Sequence, residues 1–305
     1  MRITEIFLRY LKRPKGLVGA MGAHGFLNWL SDSNYLHLLY YCETGYKLDL
    51  KNPKRFTEKL QWLKLFDRKD EYTGYVDKYI VRTYVTEKIG EKYLIPMFEV
   101  YDNIDAIKWG ELPNKFVLKC THGSHSNIIC NDKKKLDINK SYKKLEQWMT
   151  HNWFWFGREW PYKNVRPRII CEKFLEDEKG ACIIPDDYKV MCFNGKAKLI
   201  QVHKDRFGDN HTQDIYNTDW VKTDLNQVGC NISKEITLRP NTLEKMLVLS
   251  EKLAINMKHI RIDWYLVNEK LYFGEITFFD ASGFEPFVNE KDELEIGSWI
   301  DLYHN

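Results

Sequence analysis

Residues 260 to 278 read IRIDWYLVNEKLYFGEITF, two apolar and aromatic runs on either side of Asn268-Glu269-Lys270. This pattern predicts two strands joined by a tight polar turn. Pairing Val267 with Leu271 across a three-residue loop fixes the rest: Tyr265 opposite Phe273, Asp263 opposite Glu275, Arg261 opposite Thr277. Alternation then puts Arg261, Asp263, Glu275 and Thr277 on one face, and Ile262, Trp264, Leu266, Tyr272 and Ile276 on a core face. Opposed carboxylates repel, and a partly buried pair demands a compensating positive charge. With no lysine legible between them, Asp263 and Glu275 offer hard oxygen donors suited to Mg²⁺ bound together with substrate phosphates. Arg261 would meet an anionic substrate or intermediate beside that metal. The plainer reading is a surface hairpin whose acids are solvated.

The rest of the chain limits what such a hairpin can belong to. At 305 residues and 44% hydrophobic content, there is material for a large core and more than one lobe. Lys+Arg number 46 against Asp+Glu 43, so no overall basic field points to a nucleic-acid partner. Cysteines 42, 120, 130, 171, 182, 192 and 230 contain no Cys-x-x-Cys pair and are expected as buried free thiols in a reducing cytosol. No apolar run approaches the roughly 18 residues of a membrane span, and residues 1 to 15 lack a signal-peptide core, so the expected location is cytoplasmic. In that segment Ile3, Ile6, Phe7, Tyr10 and Leu11 follow helical spacing among Arg2, Arg9, Lys12, Arg13 and Lys15. Such a basic amphipathic helix either packs on its own domain or lies peripherally on the anionic inner face of a membrane.

Residues 1 to 110 are expected as a helical and mixed N-terminal lobe, with helices in NYLHLLYYCETGY, FTEKLQWLKLF and DKYIVRTYVTEKIG and breaks at Pro53 and Pro96. From 111 to 305 the pattern is α+β: strands FVLKC and NIIC around the loop THGSHSN, a helix in SYKKLEQWMTHNWFWF, and the strand RIICEKFL. A hairpin in YKVMCFNGKAKLIQVHK turns at Asn194-Gly195, and a helix over residues 242 to 257 precedes the hairpin quoted first.

Three further places carry chemistry. Lys119 leads into a small hydroxyl-rich loop that includes Ser124, where an ammonium and loop N–H groups can hold phosphate oxygens. The same stretch is also readable as an ordinary exposed loop, or as a zinc set in Cys120-x-His122-x2-His125-x4-Cys130. Glu172, Lys173, Phe174 and Leu175 end a strand whose exit can present backbone groups to an adenine ring; a plain sheet strand is the alternative. Asp77 is a good N-cap, but Lys78 beside it opposes the helix dipole, a conflict that a nearby anion would remove.

In this order the pieces resemble the ATP-grasp superfamily, whose sequence is a front-lobe lysine, a lysine before a flexible loop, a Glu-Lys-aromatic-Leu adenine hinge, an Arg-x-Asp strand and a Glu-x-Asn strand. Here these are Lys78, Lys119, EKFL at 172 to 175, RID at 261 to 263 and EIT at 275 to 277. The phrases NPKRFTEKLQWLKL, DKYIVRTYV, IGEKYLIP, LPNKFVLK, DYKVMCFNGK, YFGEITF and GSW look like the branch named for teichuronopeptide biosynthesis, found in bacterial capsule and surface-polysaccharide clusters. That likeness spans residues 35 to 300.

The resemblance implies an α+β ATP-grasp fold, two α+β lobes holding ATP between them after a helical N-terminal region. It implies an ADP-forming carboxylate–amine ligase that uses ATP and Mg²⁺ and works through an acyl phosphate. Its substrates would be a saccharide carboxylate, such as a uronic acid, and an amine or amino acid. Carried over by position, Lys78 and Lys119 hold phosphates, and Lys189 of DYKVMCF reaches phosphate as well. Glu172, Lys173 and Leu175 hold adenine largely through backbone. Asp263, Glu275 and Thr277 bind Mg²⁺, and Arg261, with Lys119 beside the phosphates, serves catalysis by stabilising the tetrahedral oxyanion.

Two departures stand out. Thr277 replaces the usual Asn, and His125 stiffens a loop that is usually glycine-rich. Two rival readings are a glycosyltransferase, which would usually show an Asp-x-Asp that this chain lacks, and a non-catalytic carbohydrate-binding protein. Trp153, Trp155 and Trp160 suit either sugar stacking or a core.

Overall fold

The computed structural model describes residues 15–176, 187–204 and 211–303. The basic amphipathic segment lies outside the described residues except for its last position. Helices α1 (Lys15–Ala23), α2 (Asp32–Thr44), α3 (Phe56–Phe66), α4 (Glu71–Val76) and α5 (Val81–Ile89) come first. Strands β1 (Met97–Tyr101), β2 (Phe116–Cys120) and β3 (Asn127–Cys130) follow, then α6 (Ile138–Met149), the short α7 (Phe154–Gly157) and β4 (Ile169–Lys173). The remainder is β5 (Asp187–Phe193), β6 (Lys196–Lys204), β7 (Thr212–Asn217), α8 (Leu243–Leu253), β8 (His259–Val267), β9 (Lys270–Thr277) and α9 (Glu290–Ser298).

The strands form two antiparallel sheets, ordered β1-β4-β2-β3 and β7-β6-β5-β8-β9. Strand periodicity explains the layers. In β2, Phe116, Leu118 and Cys120 are fully buried in one core with Leu145 of α6, which leaves Val117 and Lys119 on the opposite face. Under the five-stranded sheet, Val190, Ile200, Ile262 and Trp264 pack with Met246 and Leu253 of α8 and with Phe56 and Leu60 of α3. Trp264 donates its indole N–H to Ser250 Oγ at 2.8 Å, so its polar atom is satisfied in the core. Of the six described cysteines, Cys120, Cys130, Cys171 and Cys192 are buried and all six are free thiols.

The β8–β9 hairpin differs from its expected form at one end. Val267 pairs with Lys270, not Leu271, so the turn has two residues, Asn268 (φ 51°) and Glu269 (φ 58°), both left-handed as the tightest hairpin turns require. Tyr265 therefore faces Tyr272 and Trp264 faces Phe273, and Phe273 takes the core place expected for Tyr272. A bulge between Asp263 and Trp264 absorbs Gly274 as the extra residue and restores the expected register, Asp263 opposite Glu275 and Arg261 opposite Thr277. A Cβ on Gly274 would stand 3.0 Å from the Asp263 carbonyl oxygen and 3.2 Å from Tyr265 Cε2. We therefore expect Gly274→Ala to destabilise the fold by about 1–3 kcal/mol, the usual cost of overpacking, with urea unfolding as the measurement.

Candidate functional site

The polar faces of the two sheets bring together side chains far apart in sequence. On β8, Asp263 is only 3% exposed, and Arg261 grips it in a fork: Nε donates to Oδ1 at 2.7 Å and Nη2 to Oδ2 at 2.8 Å. From the neighbouring strand β5, Lys189 Nζ donates to Asp263 Oδ2 at 2.8 Å and lies 3.1 Å from Asp187 Oδ2. Arg261 Nη1 also donates to Asp280 just beyond β9, and Nη2 reaches Thr277 Oγ1 at 3.3 Å. Opposite Asp263, Glu275 stands 3.3 Å from Lys78 Nζ.

These cations correct the expected repulsion. The charge that compensates Asp263 and Glu275 in the ligand-free protein comes from Arg261, Lys189 and Lys78. Burial pushes the Asp263 carboxyl up, but Arg261 and then Lys189 outweigh it and hold it well below the ordinary range. For Glu275 burial is likewise overcome, chiefly by Lys78, so its carboxyl also sits low although Asp263 opposes this. Asp280 is held low by Arg261 against its own burial.

Lys78 is thereby explained. Its backbone N–H donates to Thr121 O at 3.2 Å and its ammonium to Gly123 O at 2.8 Å, so it ties the loop 121–126 to Glu275. Asp77 caps the turn before α5, accepting from the N–H groups of Tyr79 at 2.8 Å and Ile80 at 3.3 Å. His125 in that loop has φ 59°, the left-handed region a glycine would enter freely.

On the four-stranded sheet, Lys119 Nζ lies 2.7 Å from Glu172 Oε2, while Arg82 donates to Glu172 Oε1 at 3.1 Å. Burial lowers the affinity of Lys119 for its proton, but Glu172 more than restores it and the lysine stays charged. The Glu172 side chain thus serves Lys119. Lys173 is exposed and its N–H donates to Pro96 O at 2.8 Å, Leu175 is half-buried, and Ser124 lines a small cavity beside the loop. A cavity of about 1280 Å³ elsewhere, lined by Arg82, Tyr93, Pro96, Met97, Lys270 and Tyr272 among others, contains none of the candidate nucleotide, metal or catalytic residues named from sequence.

Sequence reasoning missed Asp187 and Asp280, and it missed a buried support behind them. Lys64 of α3 is fully buried and donates to Ser282 O at 2.7 Å, while Ser282 Oγ donates to Glu159 Oε1 at 2.6 Å. Burial pushes the Lys64 ammonium down to about 7, with Glu159 opposing. Together with Gln61, which donates to Gly283 O at 2.7 Å, these residues hold Ala281, Ser282 and Gly283 at φ 45°, 55° and 68°. That left-handed run sets Asp280 against Arg261. The one legible signal was Asp187, two positions before Lys189 and so on the same strand face.

Asp263 and Glu275, opposed on one face, fit a hard divalent cation in donor type and placement. Among the described residues no three His, Cys, Asp or Glu side chains form a ready cage, so ligand oxygens or water would complete the shell. The zinc spacing does not close: Cys130 pairs with Phe116 at one end of β2 and Cys120 ends the other.

A model of one family, TupA-like ATP-grasp, matches residues 58–301. The chain belongs to the TupA-like ATP-grasp family. Its α+β architecture of two antiparallel sheets, after a helical N-terminal region, is therefore the ATP-grasp fold. No curated protein sequence matches. Among solved structures, the D-alanine–D-alanine ligase from Bacillus anthracis complexed with ATP matches at 13% identity and TM-score 0.39, over 67% of this chain and 53% of that one. The D-alanine–D-alanine ligase from Helicobacter pylori matches at 13% identity and TM-score 0.41, over 81% and 70%. The ATP-grasp ligase PsnB complexed with minimal precursor, Mg and ADP matches at 9% identity and TM-score 0.38, over 72% and 57%. The family assignment rests on the sequence match.

Proposed function

We propose that this TupA-like ATP-grasp protein is an ADP-forming carboxylate–amine ligase that uses ATP and Mg²⁺. It joins the carboxylate of a saccharide, such as a uronic acid, to an amine or amino acid during synthesis of a bacterial capsule or O-antigen. The observation that carries the reading is the pair Asp263 and Glu275, opposed across adjacent strands with Lys78, Lys189 and Arg261 against them. The polysaccharide setting is supported by the family and by the likeness to the teichuronopeptide branch.

In this reading a carboxylate oxygen of the substrate attacks the γ-phosphorus and ADP leaves. The amine then attacks the acyl carbon, and phosphate departs carrying that carboxylate oxygen. Mg²⁺, when bound at Asp263 and Glu275 with Thr277 beside them, supplies charge neutralisation for the transferring phosphoryl group. Lys78 and Lys189 turn from their carboxylates to phosphate oxygens, and Lys119, aimed by Glu172, holds a third contact. Glu172, Lys173 and Leu175 border the adenine, and the loop with Ser124 covers the phosphates. Arg261, kept in place by Asp280, stabilises the oxyanion of the tetrahedral intermediate. In this reading the ligase draws on cytoplasmic ATP. Among the described residues no helix is long and apolar enough to cross a membrane.

Calorimetry on Lys119→Ala tests the nucleotide site. Loss of one charge-assisted phosphate contact, about 1.5–3 kcal/mol, weakens ATP binding by roughly tenfold to a hundredfold. Unchanged affinity would remove Lys119 from the site.

A further inference from the structure

A second cavity, about 320 Å³, lies between the phosphate loop and the segment 147–156. Its walls include Trp148, Trp153 and Phe156, the loop residues His122 and Ser126, Gln147, and Ala23 at the end of α1. This volume is at the small end for small-molecule pockets, roughly 300–1,000 Å³, and suits a single ring better than an extended chain.

Two observations make it more than a packing gap. His122 is 5% exposed and its Nε2 is 3.1 Å from Trp148 O, while Nδ1 has no hydrogen-bond partner. Burial lowers the affinity of this imidazole for a proton, which keeps the ring neutral; Nε2 then donates to the carbonyl and Nδ1 is left as an acceptor. An acceptor buried without a partner is costly and calls for a hydroxyl or amine donor. Secondly, Gly123 in the cavity wall and Lys78 behind it link this cavity to Glu275 of the carboxylate pair. Lys78, paired with Glu275, donates to Gly123 O, and on the other side a Cβ at Gly123 would meet Trp153 Cε3 at 3.5 Å.

We infer that this cavity seats one pyranose ring of the acceptor saccharide. The ring packs on the face of Trp153, a hydroxyl donates to His122 Nδ1, and the sugar carboxylate points past Gly123 toward Lys78 and Glu275. The chemistry is that of a polyhydroxylated ring: apolar C–H faces for the aromatic wall and hydroxyls for His122, Gln147 and Ser126. The inference rests on the ligase reading for its carboxylate, and on the cavity itself for its ring.

The test is calorimetric titration of the full chain with methyl β-D-glucuronide, in the presence of Mg²⁺ and a non-hydrolysable ATP analogue. Saturable binding is expected. Ala23→Leu, which puts a branched side chain into the cavity, should weaken it at least tenfold, and Gln147→Ala, at an exposed position, severalfold, while both keep the parent's affinity for the ATP analogue. Should Ala23→Leu fail to fold, Gln147→Ala alone decides. No saturable binding of the glucuronide, or binding indifferent to these substitutions, overturns the inference. The two readings fail separately: glucuronide binding without ADP release would remove the ligase and keep the sugar site, whereas ADP release driven by another carboxylate would do the reverse.

Discussion

Asp263→Asn is expected to reduce ADP release by a thousandfold or more and to lower the free energy of unfolding by about 3 kcal/mol near neutral pH. The catalytic loss follows from removing the carboxylate proposed to hold Mg²⁺ while keeping its shape. The stability loss follows from Arg261 and Lys189, both buried and both donating to this carboxylate. Breaking a buried pair by removing one partner typically costs about 3–5 kcal/mol. The lower end applies because Arg261 retains Asp280 and Lys189 retains Asp187. The pH dependence supplies a second signature. Burial raises the Asp263 carboxyl, but Arg261 and Lys189 leave it depressed overall, so its stabilisation is present above the unfolded value of about 3.9 and lost as pH falls through the lower folded value. Urea unfolding across the acid range should therefore show a steep loss for the parent and a flatter one for Asp263→Asn.

Glu275→Gln should also reduce turnover, by roughly a hundredfold or more, but with a smaller effect on the fold, about 1 kcal/mol of destabilisation. Its sign distinguishes two pictures of the site. Two carboxylates in net repulsion would gain from losing one charge. In this structure Glu275 is paired with Lys78 at 3.3 Å, and that partly buried pair holds its carboxyl below the usual range despite Asp263. The Gln variant should therefore melt slightly lower than the parent in the absence of nucleotide. A melting temperature above the parent's would mean that repulsion dominates.

The functional end of the hairpin was legible because side-chain alternation and the aromatic pattern fix which residues face which. Its turn was not. Glu269 at φ 58° is an unusual choice for a two-residue turn, and the register error this creates is cancelled by the bulge at Gly274. A glycine inside a strand is itself a bulge signal, and Gly274 shows why it outranks a count across the turn. The ordered lysines and the EKFL strand end pointed to the ATP-grasp family, which the family match bears out, yet their partners were out of reach. The Glu172 carboxylate has no legible partner until β2 and β4 pair and place it 2.7 Å from Lys119. Lys189 could be placed on a strand face, but only the order β5-β8-β9 sets it against Asp263. Lys64 looks like one more cation in an amphipathic helix until it is found fully buried under the left-handed run that aims Asp280. Long-range neighbours of this kind depend on topology, which local patterns leave open.

If the Asp263–Glu275 centre works through an acyl phosphate, an oxygen of the substrate carboxylate must leave in the released phosphate. The protein is incubated with ATP, Mg²⁺, an amine and a uronic acid carrying heavy oxygen in its carboxylate, and the released phosphate is analysed by mass spectrometry. ADP and phosphate are expected in equal amounts, with one labelled oxygen from the carboxylate in each phosphate, and neither from Asp263→Asn. Phosphate free of label, release of AMP and pyrophosphate, or a nucleoside diphosphate freed from a sugar donor in place of ADP would contradict the acyl phosphate.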